Sequence, residues 1–107
     1  RAATGYSTRA LDLVRNATVI DMLGLVTLNF PKLWSWEAEP GRFLWTDFER
    51  LRNSGITAFH PAVGYTAGDI HSASLRDIAG WNALIAAHPG RFLRIDSAAD
   101  WAEAEAG

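Results

Sequence analysis

The chain has 107 residues, of which 49% are apolar and 11% aromatic, as is typical of one globular domain. A net charge of −2 and the lack of any Lys/Arg run argue against a nucleic-acid partner. The chain has no cysteine, which excludes a disulfide framework, a thiolate metal site and a thiol nucleophile.

Sequence motifs remove further classes of protein. No apolar run approaches the ~18 residues of a membrane span, so we expect a soluble protein. No Gly-x-Gly-x-x-Gly or Walker A pattern supports nucleotide binding, and no serine lies in a nucleophile elbow. The chain starts at Arg1 without a leader, which is compatible with a processed, exported product, although the compartment stays open.

The first elements are a helix and a buried strand. Ser7 can cap a helix that ends near Asn16. Residues 18–23 are apolar on both faces apart from Asp21, as in a buried parallel strand. Gly24 to Trp45 is predicted to be one long irregular segment, and segments of this kind are usually functional or mobile.

A second helix and strand follow. Thr46 and Glu49 form a capping-box pattern, and Gly55 offers a left-handed residue that ends the helix. Residues 56–63 are predicted as the second strand. Thr66 or Asp69 then begins a longer helix, with Pro89-Gly90 at its end. One apolar face of this helix is predicted from Leu75, Ile78, Ala79, Asn82, Ile85 and Ala86.

Residues 91–96 are predicted as a third strand, and Ser97 opens a final helix that runs to Ala106. Strands that alternate with helices indicate parallel βαβ units with right-handed crossovers. A complete (β/α)8 TIM barrel has eight strands and typically ~250 residues. The predicted fold class is therefore α/β. Residues 1–107 are predicted to form a single segment, the N-terminal part of such a barrel, with its first three parallel strands and their helices.

Four segments resemble, in order, the N-terminal third of the renal (membrane) dipeptidase family. Ala17–Asp21 is similar to that family's first strand, which continues into Asp-Gly-His-Asn-Asp. Asp47–Ile56 resembles its Asp-x-x-Arg-Leu segment, and Trp81–Phe92 resembles the helix that leads into a Pro-x-x-(Phe/Leu) strand. Ser97–Gly107 is similar to a Ser-Ala-x-Asp-Ile helix that ends before the next barrel strand.

The resemblance implies a zinc-dependent amidohydrolase that cleaves dipeptides or related small amides with paired metal ions and an activated water. The family's first-strand His and Asp ligands fall at Leu23 and Leu25 of this sequence, and neither side chain can donate a lone pair. The family's other zinc ligands come from later strands. We therefore expect no catalytic residue and no metal ligand in this segment, and one metal or none in the complete protein.

The substrate-pocket candidates are Asp21, His60 and Tyr65, which lie at predicted strand ends. Asp21 is either a pocket carboxylate or an acceptor for loop backbone N–H groups, and the second role is the commoner one. His60 either lines a cleft or packs beside Pro61. The separation of His71 from His88 argues against a shared metal, and a helix C-terminus accounts for His88.

An aromatic group in the long predicted loop has two interpretations. The rings form either a lid over the barrel mouth or a satellite core under the loop. The members are Phe30, Trp34, Trp36, Phe43 and Trp45.

Three hypotheses for function remain. The first is the N-terminal part of a dipeptidase-like enzyme, inactive alone, completed by the remainder of the barrel as one chain of a cleaved enzyme or a partial chain. Its complete form is expected to be a homo-oligomer that takes a small peptide or amide. The second is a non-catalytic barrel that acts as a binding scaffold, and the third is an independent aromatic-rich α/β binding module.

Overall fold

The computed structural model describes residues 5–64 and 68–107, and Thr66 and Tyr65 fall outside that part. In it the chain is mixed α/β, with five α-helices and a parallel sheet of two strands. The elements are, in order, α1 (Thr8–Asn16), β1 (Ile20–Gly24), α2 (Phe30–Ala38), a 3₁₀ turn (Pro40–Arg42), α3 (Trp45–Ser54), β2 (Ala58–Pro61), α4 (Ile70–Ala87) and α5 (Ala98–Ala106).

The chain divides into two compact units, which are described separately. The first unit comprises the chain up to Val26 together with Trp45–Ala62, and the second comprises Thr27–Leu44 and Val63–Gly107. None of the described helices is both long enough and apolar enough to cross a membrane.

The first unit contains the sheet. β1 and β2 pair in parallel, which confirms the first two predicted strands and their relative direction. The pairing begins just before the two strands, because the amides of Thr57 and Ala58 both donate to the Val19 carbonyl, at 2.8 and 3.1 Å. Parallel neighbours need a long crossover, and the chain between β1 and β2 supplies one that contains helices.

The ends of α1 were readable from the sequence, whereas the start of α3 was not. The Ser7 hydroxyl accepts from the Ala10 amide at 3.2 Å, and α1 ends at Asn16, as predicted. The capping box was wrong, because α3 begins at Trp45 and Thr46 therefore lies within its first turn. The Trp45 ring packs on Phe48 one turn later, with centroids 5.4 Å apart, and this contact favours a helix that includes Trp45.

Gly55 ends α3 in the left-handed region, with φ of 80°, as predicted. A Cβ at this position would lie 2.5 Å from Val14 Cγ1. We expect Gly55→Ala to lower the free energy of unfolding by about 1–2 kcal/mol, because the left-handed backbone strains any Cβ and Val14 must also move. Gly41→Ala is the matched control, since nothing lies within 4 Å of its Cβ position. Chemical denaturation of both variants checks this, and equal losses would contradict it.

In the second unit, the segment between Gly24 and Trp45 is not irregular throughout, which corrects the prediction. It contains α2 and the 3₁₀ turn. Asn29 caps α2 by accepting from the Lys32 amide at 3.1 Å, and Pro31 lies in the first turn, where it costs no helical hydrogen bond. The Asn-x-Pro start of α2 is a local signal in the sequence, and the prediction of one irregular segment missed it.

The core of the second unit forms where α2, α4 and the 3₁₀ turn meet. Phe43 is its most buried large side chain, with 2% of its surface exposed. Its ring contacts Trp36 edge-on at 4.9 Å and lies 5.2 Å from Phe92 and 5.4 Å from His88. His88 Nε2 also hydrogen-bonds the Pro40 carbonyl at 2.9 Å and so fastens the end of α4 to the 3₁₀ turn.

Helix α4 packs through a different face from the apolar one predicted. Leu75, Ile78, Ala79, Asn82 and Ala86 are exposed, and Ile85 is the one member of the predicted face that is half-buried. The side turned to the core instead carries a mixture of small, polar and large residues, and it meets α2 at Gly80, where a Cβ would lie 3.7 Å from the Glu37 side chain. The buried or half-buried positions on this side are Ala73, Asp77, Gly80, Trp81 and Leu84.

Residues 91–96 are not a strand, so the third predicted strand was wrong. The Arg91 and Phe92 amides donate to the His88 carbonyl in a turn, and Phe92 is drawn into the Phe43 cluster. The Arg94 guanidinium binds Asn82 and Asp96. A strand requires hydrogen bonds to a neighbouring backbone. In this segment the amides of Arg91, Phe92 and Asp96 instead bond to residues a few positions away in the chain.

The last helix begins as predicted. The Ser97 hydroxyl accepts from the Asp100 amide at 3.3 Å, and the Asp100 carboxylate accepts from the Asp96 amide at 3.0 Å. The Ser97 hydroxyl also donates to the Asp100 carboxylate at 2.8 Å, and this bond, followed by the one from the Asp96 amide, lowers the pKa of Asp100.

Candidate functional site

The carboxyl ends of β1 and β2 are the natural place for a site in the first unit. Parallel strands of α/β proteins carry their binding and catalytic loops at this edge. β1 ends at Gly24 and β2 at Pro61, and the Ala62 amide donates to the Gly24 carbonyl at 3.2 Å. The two strand ends are therefore held side by side.

Asp21 lies half-buried on β1, with its carboxyl group folded against the backbone of Gly24. A Cβ at Gly24 would lie 2.7 Å from Asp21 Cγ, so any other residue at this position would require the carboxylate to move. The Asp21 carboxylate therefore lies three residues before the end of β1. This position suits either of the two roles considered for Asp21, a pocket carboxylate or an acceptor for loop amides.

His60 does not share a face with Asp21. The register pairs Asp21 with Phe59 and Met22 with His60. Paired residues of neighbouring strands point to the same side of a sheet, and successive residues alternate. Asp21 and the exposed His60 therefore lie on opposite faces, and only one of them can face a barrel interior. Tyr65, the third pocket candidate, lies outside the described residues.

The backbone at the end of β1 is strained. Leu23 has φ of 67° and Val26 has φ of 62°, a region that costs non-glycine residues of order 1–3 kcal/mol each. The pairing register is also irregular between Met22 and Gly24. Strain of this kind concentrates at functional sites. No pattern in the sequence indicates it, because Leu and Val rarely adopt this conformation.

The strand ends offer few metal donors. Leu23 and Leu25 occupy the positions at which the resemblance implies ligands. Within residues 5–64 and 68–107, no group of three or more His, Asp or Glu side chains is placed to hold a metal ion. That this segment coordinates no metal stays a prediction.

The aromatic group divides between its two interpretations. Trp36 and Phe43 are buried in the core of the second unit, as the satellite-core interpretation expects. Phe30 and Trp34 instead form a ring pair on α2, with centroids 6.2 Å apart, and Trp34 is 61% exposed. Trp45 belongs to the first unit, where the Arg52 guanidinium lies 5.9 Å from its ring. Only the Phe30–Trp34 pair is left as a candidate lid.

One acidic pair was missed from the sequence. Glu37 of α2 is half-buried, and burial raises the pKa of its carboxyl group. The charge of Asp77 on α4 raises that pKa further, whereas Arg76 lowers it. The two acids are 40 positions apart in the chain. Only knowledge of the α2–α4 contact places them together.

Comparisons with known proteins find no matching family model, no matching curated protein and no matching solved structure.

Proposed function

We propose that this chain is the N-terminal part of a dipeptidase-like (β/α)8 metallohydrolase, which cleaves dipeptides or related small amides when complete. The observation that carries the proposal is the parallel pairing of β1 with β2 across a helical crossover. This is the repeating unit of such a barrel, and the Val19-Ile20-Asp21 sequence of the resembled first strand leads into β1.

The backbone at position 23 adds support. His, Asn and Asp adopt positive φ several times more often than other non-glycine residues. Leu23 holds φ of 67° at the position where the resembled family has a histidine ligand. The backbone at this position is therefore of a kind that histidine adopts more readily than leucine.

The exposed surface of the sheet supports a role for the remainder of the barrel. β1 and β2 are each paired on one side only, within the part of the chain that the structure describes. Met22 and Leu23 are 69% and 71% exposed. Unpaired strand edges with apolar faces associate readily with further strands. A second chain or a continuation supplies these strands in this proposal, and the complete protein is a homo-oligomer.

The residues present do not fit the zinc ion that the resemblance implies. Leu23 and Leu25 have no donor atom, and zinc requires nitrogen, sulfur or oxygen ligands. No reaction step is therefore derived through zinc here. What this chain contributes is the frame of the β1 end, with Asp21 as its carboxylate.

The second candidate function is a non-catalytic barrel that serves as a binding scaffold. It is favoured by the same two leucines, because a barrel that has lost first-strand ligands can keep its fold without its chemistry. The independent binding module is less well supported, since a module that folds alone should not expose Met22 and Leu23 to this extent.

Zinc content and dipeptide hydrolysis of the complete protein test the proposal. We expect one zinc per barrel or none in the wild type. The double variant Leu23→His/Leu25→Asp restores nitrogen and oxygen donors, and we expect it to bind one more zinc ion per barrel. Leu28→His is the control, because Leu28 is exposed outside β1.

Each result has a distinct meaning. Dipeptide hydrolysis by the wild type supports the enzyme. An inert wild type whose double variant gains zinc supports the scaffold, which keeps the barrel geometry. No gain of zinc in a folded double variant would contradict the barrel assignment itself.

A further inference from the structure

The contact between α2 and α4 includes Glu37, an acidic residue of α2. A Cβ at Gly80 would lie 3.7 Å from both Cβ and Cγ of Glu37, so the Glu37 stem rests on the α4 backbone. The side chain is half-buried there. A carboxylate in such a place loses part of its hydration, which disfavours its charged form.

A second carboxylate lies one turn away on the same side of α4. Asp77 precedes Gly80 by three residues, and its Oδ2 accepts from the Gly64 amide at 2.8 Å. This bond holds the Asp77 carboxylate in place on the face of α4 that the Glu37 stem touches at Gly80. Two carboxylates in one helix contact repel each other when both are charged.

The other charged groups of the packed elements only partly offset this repulsion. The charge of Arg76 lowers the pKa of Glu37, whereas the charge of Asp77 raises it. Lys32 of α2 lies over the Trp36 ring, 5.7 Å from its centroid. In the 3₁₀ turn Arg42 is bound to Glu39 at 2.8 Å, and at the end of α4 the His88 ring is bound to the Pro40 carbonyl.

We propose that the α2–α4 contact is a pH-responsive joint, which closes more firmly when the Glu37 carboxyl group is protonated. Protonation removes both the desolvation cost of the charge and its repulsion with Asp77. Because the pKa of Glu37 in the folded chain is raised above its ordinary value of 4.5, the folded joint binds this proton more tightly than the open one. The stabilisation is fully present below pH 4.5 and is lost as the pH rises through the raised pKa.

Amide hydrogen exchange of α2 and α4 in the whole protein tests the joint, after correction for the intrinsic pH dependence of exchange. We expect Glu37→Gln to raise protection in both helices about two- to fivefold at pH 7, because water still screens much of the charge of a half-buried carboxylate. The gain should vanish near pH 4, where wild-type Glu37 is itself neutral. Glu103→Gln, at an exposed position of α5, is the control and should change neither helix.

A second variant separates charge from packing. Asp77→Asn removes the charge but keeps an oxygen that can accept from the Gly64 amide. It should raise protection at pH 7 in the same direction, and its effect should largely disappear in the Glu37→Gln background. Unchanged or reduced protection in Glu37→Gln at pH 7, or an equal gain at pH 4 and pH 7, overturns the proposal.

Discussion

Replacing Phe43 with alanine is expected to lower the free energy of unfolding of the second unit by about 3–5 kcal/mol. Phe43 is 2% exposed and its ring touches those of Trp36, His88 and Phe92. The truncation therefore removes most of a buried aromatic side chain and leaves a cavity that three rings cannot easily fill. Few single substitutions in this chain should cost as much.

Trp34→Ala is the matched control for Phe43→Ala. Both remove a large ring from the same stretch of chain, but Trp34 is 61% exposed and contacts Phe30 from outside the core. We expect it to cost no more than about 1 kcal/mol. Denaturant unfolding, followed by hydrogen exchange of α4 to locate the loss, compares the two. Equal losses would contradict the division of the aromatic group into a core and an exposed pair.

The local signals in the sequence were sufficient for most helix ends and for the parallel strand pair. Ser7, Asp69 and Ser97 cap the helices that follow them, because a side-chain oxygen next to an unpaired amide acts locally. Gly55 ends α3 for an equally local reason. Such features depend on a few neighbouring residues and can be predicted without a fold.

The third strand and the packing face of α4 were mispredicted because contacts between distant parts of the chain decide them, whereas the starts of α2 and α3 were missed among local signals. Residues 91–96 have the composition of a strand, but Phe92 joins the Phe43 cluster and Arg94 binds Asn82. The packing face of α4 was misassigned because α2 meets it around Gly80, whereas most of the predicted apolar face is exposed. Periodicity records which residues are apolar, and it does not record which partner reaches them.

The sequence was sufficient to predict which strands carry Asp21 and His60, but not which face of the sheet each side chain lies on. Asp21 and His60 do lie on the adjoining strands β1 and β2. Their opposite orientation depends on a register that pairs Met22 with His60, and a one-residue shift would have put them on the same face. The positive φ of Leu23 and Val26 has no counterpart in the sequence pattern.

The isolated chain of residues 1–107 is expected to associate or to remain without a cooperative core, whereas the complete protein holds the same residues in order. The apolar surface of the sheet is the reason: Ile20, Met22 and Leu23 are all substantially exposed, on strands each paired on one side. A two-stranded sheet is marginal at best in water unless other elements cover it. In this proposal the remainder of the barrel supplies that cover.

Sedimentation of the isolated chain, combined with its thermal melt, tests most directly whether this is part of a larger barrel. We predict oligomers or aggregates and a broad melt, and recovery of order when the remainder of the barrel is co-expressed with it. A compact monomer of 11.7 kDa with a sharp, cooperative melt would contradict the barrel and favour an independent binding module.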